Sequence, residues 1–467
     1  MRRLSPALAP TAALAVCALI RPPLAAQPRP ALPARAEVAR LADSLVGALM
    51  ATNGIPAISV AIVRGTDTLL MRGWGKANLE LDVNADARSV YRIGSITKQF
   101  TAAAVMQLVE AGAVKLDDPI GIYLPTLPST WHAVTVRQLL NHTSGIRSYT
   151  AVGPTWVARW GEEMSPDTIV ALVARDTFDF APGSRWRYNN TGYVVLGMLV
   201  ARVAGRPWSA DLEQRFFKPL GLADTRDCRT QPLIPRRASG YSKGPTGWVN
   251  APYLAMSQPY AAGALCSTVG DIARWNRALH TGKIVSAASY AAMTIPFGAA
   301  QASRYGFGLG TDTIASRTTV THGGGINGFS SANLWVSDAE LSVTTLTNGD
   351  DTSPGLLLKQ LARAALGAPL LRPPTEVAIT PAELAKYAGT YALALPGGAR
   401  DFTFTVKDGR LVAQLAGQGA NVLRYLGDHA FGADVDPSLR ISFVVVGTRA
   451  TKLLLKQGGG SYEGPRQ

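Results

Sequence analysis

The sequence predicts an α+β protein that ends in a small all-β module. Apolar, β-branched segments near residues 58–79 and 318–348 bracket a middle region, roughly 130–290, of mainly helical segments broken by Gly and Pro. Near 368–381 the Pro content rises and helical periodicity stops. Beyond it come only short strands separated by Asp-Gly and Gly-Asp turns. The length of 467 residues agrees with two or three domains.

The extreme N-terminus has the pattern of a signal peptide. Arg2 and Arg3 precede an apolar run over 7–20, and "PLAAQ" follows with Ala26 as the last residue before cleavage. Lipid attachment at Cys17 is a weaker alternative. No other stretch approaches about 20 uninterrupted apolar residues, so no stable membrane span is expected. The sequence therefore predicts an exported protein, periplasmic or secreted.

The elements after the leader follow from local patterns. Residues 27–36 are rich in Pro and Ala and predict a tether. Residues 37–50 predict an amphipathic helix. "ISVAIVRG" and "DTLLMRGWGKANL" predict a β-hairpin around a Gly-Thr-Asp turn. A long helical pattern follows Gly94 and stops near Gly112, and strands return at "TTVTH", "SSANLWV" and "LSVTTLTN".

The C-terminal region predicts a small barrel. Its strands are expected at "GTYALAL", "DFTFTVKDGRLVAQL", "VLRYLG", "ISFVVVG" and "KLLLKQ". We therefore expect a signal peptide over 1–26, a linker over 27–36, a main domain over 37–370, a linker over 371–379 and the β-module over 380–467.

Composition narrows the function classes. Hydrophobic residues make up 47% and charged residues 17%, which is typical of a globular protein with ample core. The net charge is +14, but no basic run interleaved with aromatics is present, so nucleic acid is not an expected partner. No H-x-H or H-E-x-x-H spacing suggests a metal, and no cofactor is expected.

Cleavage would leave Cys228 and Cys266, which either form a disulfide or remain buried thiols.

The stretch "THGGGINGFSS" at 321–331 has three interpretations. Gly323 to Gly328 spell G-x-G-x-x-G, but a dinucleotide site needs a following helix, and a hairpin-like pattern follows instead. HGGG also occurs in lipase oxyanion loops. The one G-x-S-x-G pentapeptide, "GYSKG" around Ser242, lacks a preceding buried strand and a following helix. The third interpretation is one wall of a serine-and-lysine active site.

That third interpretation requires Ser-x-x-Lys and Tyr-x-Asn upstream. Ser95 and Lys98 are the only Ser-x-x-Lys pair, and Tyr188 and Asn190 are the only Tyr-x-Asn pair. A Ser-x-Asn at 331–333 follows the glycines and is in the wrong order. Residues three apart share a helix face, so Lys98 would lie beside Ser95 and could take its proton if its pKa falls. Free N–H groups at the helix start would suit an oxyanion.

The sequence resembles the serine β-lactamase and penicillin-binding superfamily, in the branch of class C β-lactamases, D-alanyl-D-alanine carboxypeptidases and related esterases. The matching stretches between about 40 and 350 are "LLNHTSGI", "PGSRWRYNNTGYVVLGMLV", "FFKPLGLADT", "CSTVGDIARW" and "THGGGINGF". The resemblance implies an antiparallel sheet flanked by helices, a helical subdomain and a cleft between them. The segment starting "PAELAKYAGTYAL" is similar to the small lipocalin-like β-barrel often appended to such hydrolases.

The resemblance also implies roles by position. Ser95 would be the acylated nucleophile, Lys98 its proton partner and Tyr188 the general base. Asn190 would hold the substrate amide, and Gly324 and Gly325 would belong to the oxyanion strand, with the Gly325 N–H as second donor.

His322 occupies the position where many relatives carry a Lys that helps bind a substrate carboxylate. This departure favours an esterase or peptidase over an efficient β-lactamase. His142 and Ser144 of "LLNHTSGI" are expected to be structural.

The predicted function is therefore hydrolysis of an ester or amide through an acyl-enzyme on Ser95. The substrate would be a small molecule or peptide: an ester, a D-amino-acid peptide or a β-lactam. The alternative is a non-catalytic or slowly turning over penicillin-binding-type sensor of peptidoglycan-like ligands. Composition and motifs leave the oligomeric state open.

Overall fold

A computed structural model of the chain describes residues 32–350, 352, 354–372, 375–395, 398–416, 420–433, 436–457 and 460–467. The predicted signal peptide, Cys17 and most of the predicted tether lie outside the described residues. The helices are α1 Arg35–Asn53, α2 Thr97–Glu110, α3 Val136–Leu140, α4 Pro154–Val157, α5 Pro166–Ala171, α6 Asn190–Ala204, α7 Trp208–Leu212, α8 Lys218–Leu220, α9 Tyr260–Gly263, α10 Val269–His280, α11 Ala287–Thr294, α12 Pro354–Ala365 and α13 Pro381–Leu384.

Short helical turns and twenty strands complete the described chain. The 3₁₀ turns are Gly94–Ile96, Ile120–Ile122, Ser129–Trp131, Tyr149–Ala151, Gly298–Ala300 and Ser337–Ala339, and one π turn covers Glu213–Phe217. The strands are β1 Ala57–Arg64, β2 Asp67–Asn78, β3 Val83–Asn84, β4 Tyr91–Arg92, β5 Arg226–Asp227, β6 Tyr241–Lys243, β7 Trp248–Asn250, β8 Leu265–Ser267, β9 Gly310–Ile314, β10 Arg317–Ile326, β11 Phe329–Val336, β12 Leu341–Thr347, β13 Gly389–Leu395, β14 Gly398–Lys407, β15 Arg410–Leu415, β16 Asn421–Gly427, β17 Ala430–Ala433, β18 Asp436–Val446, β19 Arg449–Gln457 and β20 Gly460–Pro465.

A seven-stranded sheet forms the centre of the first domain. Its order is β3-β2-β1-β12-β11-β10-β9, and the pairings are antiparallel. Along β1, Ile58, Val60 and Ile62 face the core that α1 and α12 cover, whereas Ala57 and Ala61 face the larger helical core. Because successive side chains of a strand point to opposite faces, β1 is buried on both sides. The predicted α+β fold is confirmed.

The large helical core is built around α2. Nearly every residue of α2 from Thr97 to Leu108 is buried, and α6 and α9 pack beside it. Phe100 stacks on Trp275 with ring centroids 3.9 Å apart. Thr101 donates a hydrogen bond to the Ala261 carbonyl over 2.8 Å. Because its polar groups are satisfied, this helix is a rigid support for the side chains at its start.

The C-terminal strands form a nearly closed barrel. Strands β13 to β20 pair in chain order. The last residues return to the first strand, where Tyr391 bridges to Arg466 and the Gln467 amide donates to the Thr390 carbonyl over 2.9 Å. Aromatic side chains fill the interior, with Phe443 against Tyr391. The predicted all-β module is confirmed, with two strands that the patterns did not indicate, β17 and β20.

No helix in the described part of the chain is long and apolar enough to cross a membrane.

Candidate active site

Ser95 lies in the 3₁₀ turn Gly94–Ile96, at the point where β4 gives way to α2. Gly94 adopts a φ of 48°, a left-handed conformation that glycine adopts without steric cost. Ser95 faces a small cavity of about 120 Å³, whose walls include Tyr149, Trp156 and Ile326. The turn therefore presents the serine hydroxyl to a small, partly open cleft with both polar and apolar walls.

Lys98 is fully buried and lies one turn further along the helix. Its Nζ is 3.1 Å from the Ser95 Oγ, 2.8 Å from the Asn190 Oδ1 and 2.8 Å from the Ala262 carbonyl oxygen. Burial holds the pKa of the Lys98 amine well below its usual range. A neutral amine has two N–H groups and one lone pair. Since the Asn190 and Ala262 oxygens accept the two N–H groups, the lone pair is left for the serine hydroxyl.

Asn190 and Tyr188 approach from the start of α6. Asn189 caps this helix, accepting from the Gly192 amide over 2.9 Å. The cap fixes Asn190 so that its amide nitrogen donates to Thr150 over 3.2 Å while its oxygen accepts from Lys98.

The Tyr188 ring lies beside the lysine, with its centroid 4.7 Å from the Lys98 Nζ. The Tyr188 hydroxyl is buried and has no hydrogen-bond partner of standard geometry among the described residues. Burial raises the pKa of the Tyr188 phenol, and the nearby Ser95 hydroxyl partly offsets that increase. The raised pKa favours the protonated phenol in the resting site, and the role of Tyr188 as general base stays a prediction.

The glycines of β10 pass directly over Gly94. A Cβ built on Gly94 would lie 3.0 Å from the Gly325 nitrogen, so the Gly325 amide is next to the Ser95 turn. A Cβ on Gly324 would lie 2.1 Å from the Ile93 carbonyl oxygen, whereas one on Gly325 would meet nothing within 4 Å. Gly324 therefore permits the close approach of two backbones, and Gly325 faces the open cleft.

His322 lies at the same strand, with 8% of its surface exposed. Its Nε2 is 2.8 Å from the Tyr305 hydroxyl, and its ring centroid is 6.3 Å from that of Tyr188. Burial, with a further contribution from Lys98, lowers the pKa of His322 to about 4. The imidazole is therefore neutral at neutral pH and adds no cation at this position.

Several residues of this region were not predicted from the sequence. Thr150 holds Asn190, Tyr305 holds His322, and Tyr149 and Trp156 line the cavity. His142, expected to be structural, is buried with its ring 4.4 Å from the Tyr188 ring. Burial, followed by Lys98 and His322, lowers the pKa of His142 well below its usual value. Its place in the "HTSGI" stretch was the one sequence signal among these residues.

The two rejected interpretations of the glycine stretch fail in the structure as well. Gly323 and Gly328 belong to the β10–β11 hairpin, with Ile326 paired to Phe329, and no helix follows. Ser242 lies in the short strand β6, which pairs with β7 rather than leading into a helix. Ser331 is buried and donates to the Ile93 carbonyl over 2.9 Å.

Among the residues of the described ranges, no group of three His, Cys, Asp or Glu could hold a metal ion.

The two cysteines lie at the small sheet of β4, β8 and β5: Cys266 is in β8, and Cys228 directly follows β5. Both Cys228 and Cys266 are buried and are free thiols in this structure. They are in contact, since a hydrogen bond from Cys266 is the main cause that lowers the pKa of Cys228. The predicted disulfide is thus not formed here, and the pairing stays a prediction.

Comparisons with known proteins agree with this geometry. The sequence profile of the Beta-lactamase family matches residues 42–368. A D-stereospecific amidohydrolase from Streptomyces sp. superposes with a TM-score of 0.59 at 31% identity, covering 68% of this chain and 95% of that one. The octameric penicillin-binding protein homologue from Pyrococcus abyssi, at 24% identity, superposes with a TM-score of 0.64 over 91% of this chain and 99% of its own. At this identity the similarity shows the fold alone, and the superposed region includes part of the barrel.

A curated relative shares part of its length with this chain. The D-aminopeptidase of Gluconobacter oxydans is 27% identical over 336 residues, which cover 70% of this chain and 62% of that protein. The profile match covers more than half of the chain, and it includes the serine–lysine pair and the glycine strand. The chain belongs to the β-lactamase family and is a serine hydrolase of that family.

Proposed function

We propose that this protein cleaves amides or esters of small D-amino acids through an acyl-enzyme on Ser95. The observation that carries the proposal is the position of the Lys98 amine, fully buried and 3.1 Å from the Ser95 hydroxyl. Serine is a weak nucleophile until a neighbouring base takes its proton. A lysine with a lowered pKa is such a base at neutral pH.

In the first step, the Ser95 oxygen forms a bond with the substrate carbonyl carbon while its proton passes to the Lys98 amine. The carbonyl oxygen becomes an oxyanion and accepts from the Ser95 and Gly325 amides. Losing one such donor typically costs about 100- to 1,000-fold in rate. The bond to the leaving amine or alcohol then breaks, and the leaving group takes a proton.

Tyr188 is placed to supply that proton. Its hydroxyl is buried, lies near Ser95 and has a raised pKa, so it is a donor rather than a base in the resting enzyme. The proton on Lys98 can then restore the phenol. In the second step, water attacks the Ser95 ester with the same groups acting in reverse, a contribution on the order of 10²–10⁴-fold.

The cavity and the relatives support the substrate class. The cavity walls at Tyr149, Trp156, Leu254 and Ile326 suit a small apolar side chain, and Asn190 can hydrogen-bond a backbone amide. The Streptomyces relative is named a D-stereospecific amidohydrolase and the Gluconobacter relative a D-aminopeptidase. This chain spans about 60% of the length of the curated D-aminopeptidases that it matches, so the activity of those whole proteins comes to this chain only as a proposal.

Export is part of the proposal. The N-terminal pattern of two arginines, an apolar run and a small-residue cleavage site supports it. Edman sequencing of the secreted protein should begin at Gln27, and a full-length cytoplasmic product would contradict export.

The test combines trapping with a substrate panel. A fluorophosphonate should add covalently to Ser95, as located by mass spectrometry of the digested protein, and Ser95→Ala should prevent this addition. The panel contains D- and L-alanine amide, 4-nitrophenyl butyrate and a chromogenic cephalosporin. We expect turnover of the D-amide and the ester, with a clear preference for D over L.

Three outcomes oppose the proposal in different ways. An adduct on another residue would refute the assignment of the nucleophile. Equal rates for the D- and L-amides would refute the substrate class alone. A burst of one equivalent without further turnover on every substrate would favour the sensor function instead.

A further inference from the structure

A second cavity adjoins the active site and is lined by two arginines that have no carboxylate partner in the described part of the chain. It has a volume of about 430 Å³, and Arg92, Arg237, Tyr253 and Phe329 are among its lining residues. Asn327 lines both this cavity and the one at Ser95. We call the second cavity the arginine groove.

The arginines of the groove have no carboxylate partner among the described residues. The Arg92 guanidinium lies over the Phe329 ring at 5.8 Å, and the Arg237 side chain donates to the Arg229 carbonyl over 3.4 Å. The carboxylates of the adjoining segments are paired elsewhere: Asp224 with Arg236, and Asp227 and Glu163 with Arg229.

The two arginines line the same cavity. Both also contribute to lowering the pKa of the buried Cys228 thiol. Two guanidinium groups that line one cavity make its potential positive, which favours an anion there. A carboxylate can accept from both, since the planar fork of each guanidinium matches its two oxygens.

The position of the groove relative to the reacting bond is set by β10. His322 and Asn327 lie on opposite sides of Gly325 along the strand direction. β10 ends at Ile326, and Asn327 follows in the turn to β11, two residues beyond Gly325. The Asn327 side chain is held by donation to the Pro252 carbonyl over 3.0 Å. Because Asn327 lines both cavities, the arginine groove adjoins the Ser95 cavity at this turn.

We propose that the arginine groove binds a carboxylate on the part of the substrate that extends past Asn327, so that acidic peptides or amides are the preferred substrates. The inference rests on the proposed function. His322, on the opposite side of the site, is neutral. A negatively charged group of the substrate would therefore be recognised by the two arginines of the groove.

The experiment uses two matched pairs of D-alanine amides that differ in one charge. N-succinyl-D-alanine 4-nitroanilide and its N-succinamoyl counterpart place the difference on the acyl side. D-alanyl-4-aminobenzoate and D-alanyl-4-aminobenzamide place it on the leaving group. We expect the carboxylate member of at least one pair to have the higher kcat/KM, by about tenfold at low salt, and the preference to shrink as salt rises.

Variants identify the source of the preference. Arg237→Gln should reduce the carboxylate preference about tenfold, mainly through KM. Arg236→Gln is the matched control, because Arg236 is the neighbouring arginine but is paired with Asp224. Arg92→Lys keeps the charge and the packing over Phe329 and should reduce the preference less than Arg237→Gln. Equal preference in the wild-type and Arg237→Gln proteins would overturn the proposal.

Binding to the Ser95→Ala variant separates this inference from the proposed function. Calorimetry should show tighter binding of the carboxylate probe than of its neutral partner, with the difference lost when Arg237→Gln is added. That result without turnover in the wild-type enzyme would sustain the groove and refute the hydrolytic function. Equal or undetectable binding of both probes of each pair would refute the groove.

Discussion

Gly324→Ala should impair catalysis far more than Gly325→Ala, although the two residues are neighbours on one strand. The added Cβ at 324 would lie 2.1 Å from the Ile93 carbonyl oxygen and 2.4 Å from the Ser331 Oγ. Real Cβ atoms essentially never come within 3.0 Å of such an atom, so the strand must move by at least the 0.9 Å difference. The movement would separate the Gly325 amide from the Ser95 turn.

The expected magnitude follows from that displacement. A misplacement of about 1 Å in a catalytic group can cost on the order of 100-fold in rate, similar to losing an oxyanion donor. Overpacking of this kind costs typically 1–3 kcal/mol of stability. Gly325→Ala should instead stay within about threefold of the wild type on a small ester, because its Cβ would meet nothing within 4 Å and its amide would stay in place.

The assay is the acylation rate with 4-nitrophenyl acetate, together with the melting temperature of each variant. Melting temperatures show that any loss of activity occurs in a folded protein. A folded Gly324→Ala protein with acylation within threefold of the wild type would refute the role given to the close backbone approach. Loss of acylation in Gly325→Ala would show that the strand does not face the cleft as described.

Three further predictions concern titration and thiols. In the proposed reaction the neutral form of Lys98 takes the serine proton. The rate at which a fluorophosphonate modifies Ser95 should therefore rise with pH through the lowered pKa of Lys98 and then level off. A rate that falls between pH 6 and 9 would contradict this. Burial lowers the pKa of His280 to about 3, so the unfolded chain takes up a proton near pH 6.5 that the folded chain excludes, and stability falls as the pH drops through this window. Excluding one proton lowers the free energy of unfolding by about 1.4 kcal/mol per pH unit. Between pH 6.5 and 4.5, the free energy of unfolding measured in urea should therefore fall by about 2 kcal/mol less in His280→Gln than in the wild type. Equal decreases in the two proteins would contradict the buried neutral state. If Cys228 and Cys266 pair after export, thiol titration of the denatured, non-reduced protein should find no free thiol, and two free thiols would end that prediction.

The sequence predicted the parts of the site that local geometry determines. Ser95 and Lys98 are three residues apart at the start of a helix, so any fold that forms the helix places them together. Tyr188 and Asn190 depend on how α6 packs against α2, and only the order of motifs and the family resemblance indicated that contact. The protonation state of Tyr188 was beyond the sequence, because burial is a property of the whole fold.

Other features depend on contacts between distant segments, which one sequence does not reveal. Tyr305 bonds to His322, and Thr150 to Asn190, across loops without a motif. The barrel strands β17 and β20 are short or rich in Gly, so their alternation is too weak to indicate a strand. The approach of Gly324 to Ile93 explains part of the "HGGG" pattern, but only the folded backbone shows which glycine needs the space.

The distribution of charge bears on how the proposed enzyme would discriminate among substrates. Burial lowers the pKa of Lys98 and of His322 and raises the pKa of Tyr188, so it favours the neutral form of each side chain. In the proposed reaction, the developing oxyanion would accept from the amides of Ser95 and Gly325. Formal positive charge lies at Arg92 and Arg237, which line the arginine groove. If the groove binds a substrate carboxylate as proposed, that charge would be recognised outside the reacting centre and away from Lys98.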